Sequence, residues 1–350
     1  MKDAMLLRNA LFPYIYTANH ATRTSGVSLV HPTYYEAPDA DPAYKFRGQY
    51  MFGDVILVAP IVTPTDLATD TVAQTVWLPP GAWVTWDGQQ THHADTPGGQ
   101  QVIAKYGVGE MPIYVRANAA VPLRNFESLT QTTSFSDPLI WALWPADIPG
   151  GGNATVIEDD GMTLRFETDN AVATTHMSWL ASDPNMFILR VDPTVGTFDV
   201  GCESESGFEY AGAGADLQDI GVVTSPNDCC KRCSEYSNCG FWTFNTITHC
   251  CVLKVSRHGR RSNATAVSGI APRGMPTQRV HGFQIRSSRA RPPVNVTANG
   301  VVLREVDPDS GVAGWFVQHG DGGLTMTDNT LVVFTDRIPL TQSLQVLIHW

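Results

Sequence analysis

The chain has 350 residues, 43% of them hydrophobic and 16% charged, with a formal net charge of −11. That length suits two or three domains with cores of their own, and the acidic balance excludes nucleic acid as the main partner, because phosphate binding needs a basic surface. The longest apolar run, Val55-Ile-Leu-Val-Ala-Pro-Ile-Val62, is interrupted by proline and falls far short of the ~20 residues that span a bilayer.

The opening residues, Met1-Lys-Asp-Ala-Met-Leu-Leu-Arg8, lack the apolar stretch of a signal peptide. Residues 1–20 read as a helix, with Leu6, Leu7, Ala10, Leu11 and Tyr14 at helical spacing and Pro13 set to kink or shorten it. Val27–His31 reads as a strand, followed by a loop rich in Pro and Asp. From Val55 onward the signals are β. Val55–Val62, Thr75–Leu78, Ala82–Trp86, Ile113–Arg116 and Ala120–Pro122 are strands, with turn chemistry at Pro79-Pro-Gly81 and Asp87-Gly88. Their spacing indicates a sandwich. Residues 124–138 are polar and read as a linker. Leu139–Leu143, Ala154–Ile157, Thr163–Phe166, Thr174–Leu180 and Phe187–Val191 form a second β region. It halts near Gly201 and resumes at Val280–Ile285, Leu331–Phe334 and Val346–Trp350.

The interruption holds every cysteine of the chain: Cys202, Cys229, Cys230, Cys233, Cys239, Cys250 and Cys251. Ser225-Pro-Asn-Asp228 has an N-cap serine, Pro at the first helical position and an acid at the third, so a helix should run to about Tyr236. Cys229 and Cys233 then share one face, and Cys230 points elsewhere. Disulfides from helix to strands would staple a module too small for a large core. Zinc is the rival, since Cys230-x-x-Cys233 has ligand spacing, but the adjacent Cys250-Cys251 pair suits tetrahedral chelation poorly. Three glycosylation sequons, at Asn153, Asn263 and Asn295, agree with the cysteines in pointing to a secretory history, extracellular or lysosome- or vacuole-like. A secretory protein without a leader at its start reads as a chain with its start missing.

Other polar groups carry weaker signals. Asp159 and Asp160 precede a glycine and, as neighbours in a strand, would face opposite ways, which favours a polar turn over a catalytic pair. Glu36 and Asp39 could line a pocket rim, with a solvated loop preferred. His92-His93 reads as exposed loop rather than a metal site; no metal or cofactor is expected. Phe241, Trp242 and Phe244 could face a sugar ring, with core preferred. Arg257–Arg261 and Arg286–Arg291 are basic clusters that could touch an anionic glycan, with solvated loop the default.

Leu7-Arg-Asn-Ala-Leu-Phe-Pro-Tyr-Ile-Tyr-Thr17, Val30-His-Pro-Thr-Tyr-Tyr-Glu-Ala-Pro-Asp39 and Gln49-Tyr-Met-Phe-Gly-Asp-Val-Ile-Leu-Val-Ala-Pro60 resemble the late catalytic-barrel helix, last barrel strand and barrel exit of glycoside hydrolase family 31, the α-glucosidase family. Val76–Trp83 and Pro112–Arg116 resemble its proximal C-terminal β domain, and Ile157-Glu-Asp-Asp-Gly161 its distal one. His31, Asn9 and Asn118 depart from the family's usual Arg, Tyr and Gly. The resemblance implies a mainly β fold: the end of a (β/α)8 barrel over 1–54, a proximal β-sandwich over 55–124, and a distal β-sandwich over 125–200 and 273–350. It also implies retaining hydrolysis by two aspartates ~5–5.5 Å apart, acting on an α-glucoside-like carbohydrate. Both aspartates are expected upstream of this chain, which alone should be inactive and, if nothing covers it, should expose the apolar surface of Leu6, Leu7, Leu11 and Phe12.

Cys202, Tyr210-Ala-Gly, Ser225–Cys233, Cys239-Gly-Phe-Trp-Thr-Phe244 and Cys250-Cys-Val-Leu-Lys254 resemble a PAN/Apple module spanning 201–272. It is an α+β module inserted in the distal domain, usually with three disulfides, which leaves Cys250 or Cys251 over. The resemblance implies a protein or glycan ligand. A non-catalytic binding protein acting through this module is the alternative to the hydrolase.

Overall fold

The structure is a computed structural model that describes residues 2–124, 136–146, 149–161, 164–198, 204–212, 214, 216–236, 238–256, 259–270, 275, 277–287, 292–318 and 330–350. The chain divides into two compact units, Met1–Glu158 with Ala173–Val195 and Thr277–Trp350, and Asp159–Val172 with Gly196–Pro276.

The first unit begins with two helices, Lys2–Ala10 and Phe12–Ser25, where one was expected. Pro13 explains the break: it occupies the first turn of the second helix, where its missing N–H costs nothing. That helix ends at Gly26, whose φ of 72° is left-handed. Strands Val30–Pro32, Tyr50–Phe52, Ile56–Val58, Ile113–Arg116, Gly81–Thr85 and Thr91–Ala94 follow one another across an antiparallel sheet. Successive side chains of a strand face opposite sides, and here both sides are buried. Ile56, Val58, Val84 and Val115 pack with Leu7, Ala10 and Leu11 of the helices. Leu57, Trp83 and Tyr114 pack with Val76 and Leu78, which belong to a two-stranded ribbon of Thr71–Leu78 and Gln100–Gly107.

This packing overturns the expected apolar exposure of the first helix. Leu7 is 8% exposed and Leu11 9%, while Leu6 and Phe12 are half-buried. The Phe12 ring also lies 4.2 Å beneath the Arg124 guanidinium. The β core covers much of this face.

The rest of the first unit is a β-sandwich. One sheet orders Gly314–Gln318, Thr330–Pro339, Gln278–Arg286, Leu139–Leu143 and Ala120–Arg124; the other runs Gly150–Glu158, Ala173–Asp183, Met186–Val191, Leu344–His349, Asn295–Ala298 and Val301–Leu303. Trp141, Phe283 and Val333 of the first sheet meet Met177, Trp179, Leu189 and Val346 of the second in one core. Leu139–Leu143 reads as a continuous apolar run because both its faces are covered. Leu139, Trp141 and Leu143 enter the sandwich core, and Ile140 and Ala142 pack towards the helices.

The second unit holds a five-stranded sheet in the order Ser204–Tyr210, Arg260–Ile270, Phe241–Asn245, Cys250–Lys254, Asp216–Val222 and one cysteine-bearing helix, Pro226–Ser234. Ser225 caps that helix, its hydroxyl accepting the Asp228 N–H at 3.1 Å. Of the strand expected over Thr163–Phe166, Thr163 lies outside the described residues, and Arg165 and Phe166 belong to a helical turn, Arg165–Thr168, supported by an Arg165–Asp169 ion pair at 3.0 Å. Among the described residues no helix is long and apolar enough to cross a membrane.

Candidate functional site

The segment after strand Val30–Pro32 gathers the polar and aromatic groups of interest in the first unit. Pro32 leads into a short turn, Thr33–Tyr35, and Pro42 starts a helix, Asp41–Lys45. The turn brings Glu36 back under His31. The buried His31 ring donates from Nδ1 to the Ser28 carbonyl at 3.0 Å, and its Nε2 lies 3.5 Å from Glu36 Oε1. The other Glu36 oxygen accepts from Arg116 Nη2. Arg116 Nε in turn donates to the Asp54 carbonyl at 3.1 Å, and its guanidinium lies 4.6 Å from the Trp83 ring centre. Glu36 stays at the exposed surface, as a solvated loop residue would, but both its oxygens are engaged, which makes it a clamp between chain segments 80 residues apart. Asp39 is exposed.

Beside this clamp stand three exposed rings. Tyr34 and Tyr44 lie parallel with centres 5.2 Å apart, and Tyr35 lies 5.3 Å from Tyr34 and 5.6 Å from His31. The Tyr44 hydroxyl donates to the Pro38 carbonyl at 2.9 Å, which fixes its ring. Flat apolar faces carrying polar edges suit a ligand that is itself apolar on its faces and polar on its rim.

A second polar group was not anticipated. Glu158 ends strand Gly150–Glu158 on its inward face, after Ala154 and Val156. It accepts from Arg279 Nη2 at 2.5 Å and from the Ser136 N–H at 2.8 Å, deep in the first unit. The alternation of that strand was the signal that could have placed Glu158 inside. In the second unit Asp159 accepts the Gly161 N–H at 2.6 Å, forming the expected turn. Both Asp159 and Asp160 are buried.

His92 and His93 lie on strand Thr91–Ala94, not in an exposed loop. His92 packs edge-on against Tyr114 at 5.7 Å. Burial, then the neighbouring His93, holds the His92 imidazole below its ordinary range. Its Nε2 has no hydrogen-bond partner among the described residues; His93 is exposed on the opposite face. The described residues contain no group of His, Cys, Asp and Glu able to hold a metal.

Arg286 is also not in a solvated loop. It is fully enclosed, with its guanidinium 4.8 Å from Trp86 and 4.9 Å from Trp144, donating to Gln284 Oε1 at 3.1 Å. Arg289 and Arg291 lie outside the described residues, as do Arg257 and His258. Arg260 stacks 3.7 Å from the Phe208 ring, and Arg261 pairs with Glu209. The residues departing from the family pattern also find physical reasons. Asn118 has a φ of 64°, a conformation that asparagine tolerates better than most residues, and its Oδ1 accepts the Ala146 N–H at 3.1 Å. Asn9 accepts from Arg124 through both its carbonyl and its side-chain oxygen.

In the second unit Cys229 is bonded to Cys251 and Cys233 to Cys239. Cys230 is also disulfide-bonded, and Cys250 is a free, half-buried thiol. Cys202 lies outside the described residues. Trp242 and Phe244 are buried with the cysteines, Val223 and Leu253; Phe241 is half-buried, edge-on to Tyr210 at 5.8 Å. The aromatic trio therefore offers no open platform. Of the sequon asparagines, Asn153 is exposed and Asn295 half-buried on their strands. Asn263 donates to Glu209 Oε2 at 2.8 Å.

Residues 26–121 match the glycosyl hydrolase family 31 C-terminal domain, and residues 210–254 match the PAN domain. Among curated proteins the chain is 26% identical over 170 residues to alpha-glucosidase 2 of Bacillus thermoamyloliquefaciens, covering 48% of this chain and 20% of that one. It is 28% identical over 163 residues to an alpha-xylosidase of Saccharolobus solfataricus, covering 46% of this chain and 20% of that one. The chain thus spans about a fifth of the length of these relatives. Among solved structures, a family 31 dextranase of Flavobacterium johnsoniae superposes with a TM-score of 0.60 at 17% identity, covering 98% of this chain and 32% of that one; this likeness concerns the fold alone. The disulfides and the PAN domain mark a secreted or extracellular protein.

Proposed function

From the premise that this chain carries the C-terminal domain of glycosyl hydrolase family 31 with a PAN domain set into it, we propose that it is the rear part of a retaining, α-glucosidase-like hydrolase. The observation that carries this reading is the match over residues 26–121. It is supported by relatives named for α-glucoside and α-xyloside cleavage. In this reading residues 1–54 close a catalytic barrel whose two aspartates are supplied by sequence upstream of Met1. Residues 55–124 form the proximal β domain, 125–200 with 273–350 the distal one, and 201–272 the inserted PAN/Apple module. The chain's own contribution is structural. The His31–Glu36–Arg116 clamp fixes the segment after the last barrel strand, the end at which barrel enzymes build their sites. The complete enzyme would act on carbohydrate without a cofactor, outside the cell or in a lysosome- or vacuole-like compartment.

Mapping the 5′ end of the transcript tests this. A reading frame that continues upstream into barrel strands bearing two aspartates, with α-glucosidase activity in the extended protein and none in this chain, is the expected result. An in-frame stop codon directly before Met1 would overturn it. A second reading rests on the separate core of the cysteine-bearing unit: a binding protein that acts through its PAN domain on a protein or glycan. Binding of the full chain to a glycan array, with no hydrolysis by the extended protein, would favour it.

A further inference from the structure

We propose that Asn153 carries an N-linked glycan that shields the open edge of the larger sheet of the sandwich. Among the described residues, strand Gly150–Glu158 is the terminal strand of that sheet, hydrogen-bonded on one side only, to Ala173–Asp183. An uncovered edge is a template for pairing with another chain. Part of this edge is already closed: the Ile157 N–H points away from the partner strand and donates to Thr17 Oγ1 of helix Phe12–Ser25 at 3.0 Å. The strand repeats every two residues, so the N–H groups of Thr155 and Asn153 point to the same side as that of Ile157, beyond the reach of this contact.

The side chains settle which sequon suits a sugar. Ala154 and Val156 face the sandwich core, so Asn153 faces solvent, where it is exposed and opposite Ser178. Its neighbours Ser178, Thr155 and His176 on this outer face are polar, and Thr155 Oγ1 lies 3.0 Å from His176 Nδ1. The Asn153 amide makes no hydrogen bond with the described residues and is free to carry a chain. Asn263 differs. Its Nδ2 donates to Glu209, and its Oδ1 accepts from the Thr265 N–H at 3.1 Å and hydroxyl at 2.9 Å, so a glycan there must disturb an existing network. Asn295 is half-buried at the start of strand Asn295–Ala298, an interior strand of the same sheet. Among the described residues, Asn153 is where a sequon coincides with an open edge. A bulky hydrated glycan there would exclude a second strand from the uncovered stretch by volume alone.

The full chain, directed into the secretory pathway of a eukaryotic host, provides the test. Release of glycans by peptide N-glycosidase in heavy-oxygen water marks each occupied asparagine for peptide mass spectrometry. The expected result is a mark on Asn153 and none on Asn263. Asn153→Gln and Thr155→Ala should each lose the mass of one glycan, and Thr155→Ser should keep it. An unmarked Asn153, or a mark on Asn263 alone, overturns the assignment. The shielding role is read separately, by removing the glycan enzymatically from the folded protein, which avoids any variant that fails to fold. Loss of monomer on warming relative to the untreated protein is expected; an unchanged monomer fraction overturns that role.

Discussion

The buried pair Glu158–Arg279 lends itself to a quantitative test. Arg279 is 0% exposed and Glu158 1%, so neither charge has water to fall back on. Glu158→Gln keeps the volume of the side chain and an oxygen for the Ser136 N–H, and removes only the negative charge facing Arg279. Breaking a buried pair by neutralising one partner leaves an uncompensated charge and costs about 3–5 kcal/mol. That is a large fraction of the roughly 5–15 kcal/mol by which domains are stable. The double change Glu158→Met with Arg279→Met removes both charges and should return to within about 1 kcal/mol of the parent, since two apolar groups of similar volume replace the pair without an orphan. Urea unfolding followed by tryptophan fluorescence reads this directly, because Trp141 and Trp179 sit in the core of the same unit. A Glu158→Gln loss below about 1 kcal/mol, or a double variant weaker than the single one, would refute the reasoning.

Two further outcomes follow from buried groups elsewhere. Burial, with Arg279 beside it, pushes His281 down to about 3, and its Nδ1 accepts from Trp141 Nε1 at 3.5 Å, as a neutral ring does. The folded protein thus stays unprotonated where the unfolded chain takes up a proton, so this contribution is complete above an ordinary histidine value of about 6.5 and falls away as pH drops from there towards 3, by roughly 1.4 kcal/mol per unit. Urea midpoints of the parent at pH 7, 6 and 5 should fall more steeply than those of His281→Gln, and parallel lines would sink the assignment. In the second unit, Cys229 and Cys251 close a 22-residue separation, and replacing both with serine should cost about 3 kcal/mol. Limited proteolysis should then cut within residues 204–270 at lower urea; equal resistance would show that the core of Trp242, Phe244 and Leu253 holds without that bridge.

Much of the fold could be read along the chain wherever the cause is local. The Ser225-Pro-Asn-Asp228 start specifies its helix through backbone donors only three residues away. Pro13 marks the junction of two helices by the same short-range logic. Asp87-Gly88 marks a turn because Gly88, with a φ of 75°, takes a conformation costly to other residues. What stayed hidden was pairing over distance. Gln278–Arg286 lies parallel to Leu139–Leu143, with the whole second unit between them in sequence. No hydrophobic pattern records which strand will be the neighbour, because the pattern fixes only which face is wet.

The same limit explains the polar residues whose partners could not be read along the chain. Glu36, Glu158 and Arg286 all stand among turn or charged residues, where the ordinary fate of a charge is water. Their actual partners are remote: Arg116 for Glu36, Arg279 for Glu158, and the two indoles of Trp86 and Trp144 for Arg286. Glu158 and Arg286 leave water because a partner is already positioned to receive each of them, and that partner is a product of the tertiary fold. The three cases also share a role. Each ties a strand of one β layer to a segment from another part of the first unit, so each acts as a registration pin between elements that apolar packing alone would leave free to slide. Such pins fix a register that further apolar area would not, and the clamp at Glu36 is the one placed beside the exposed tyrosines.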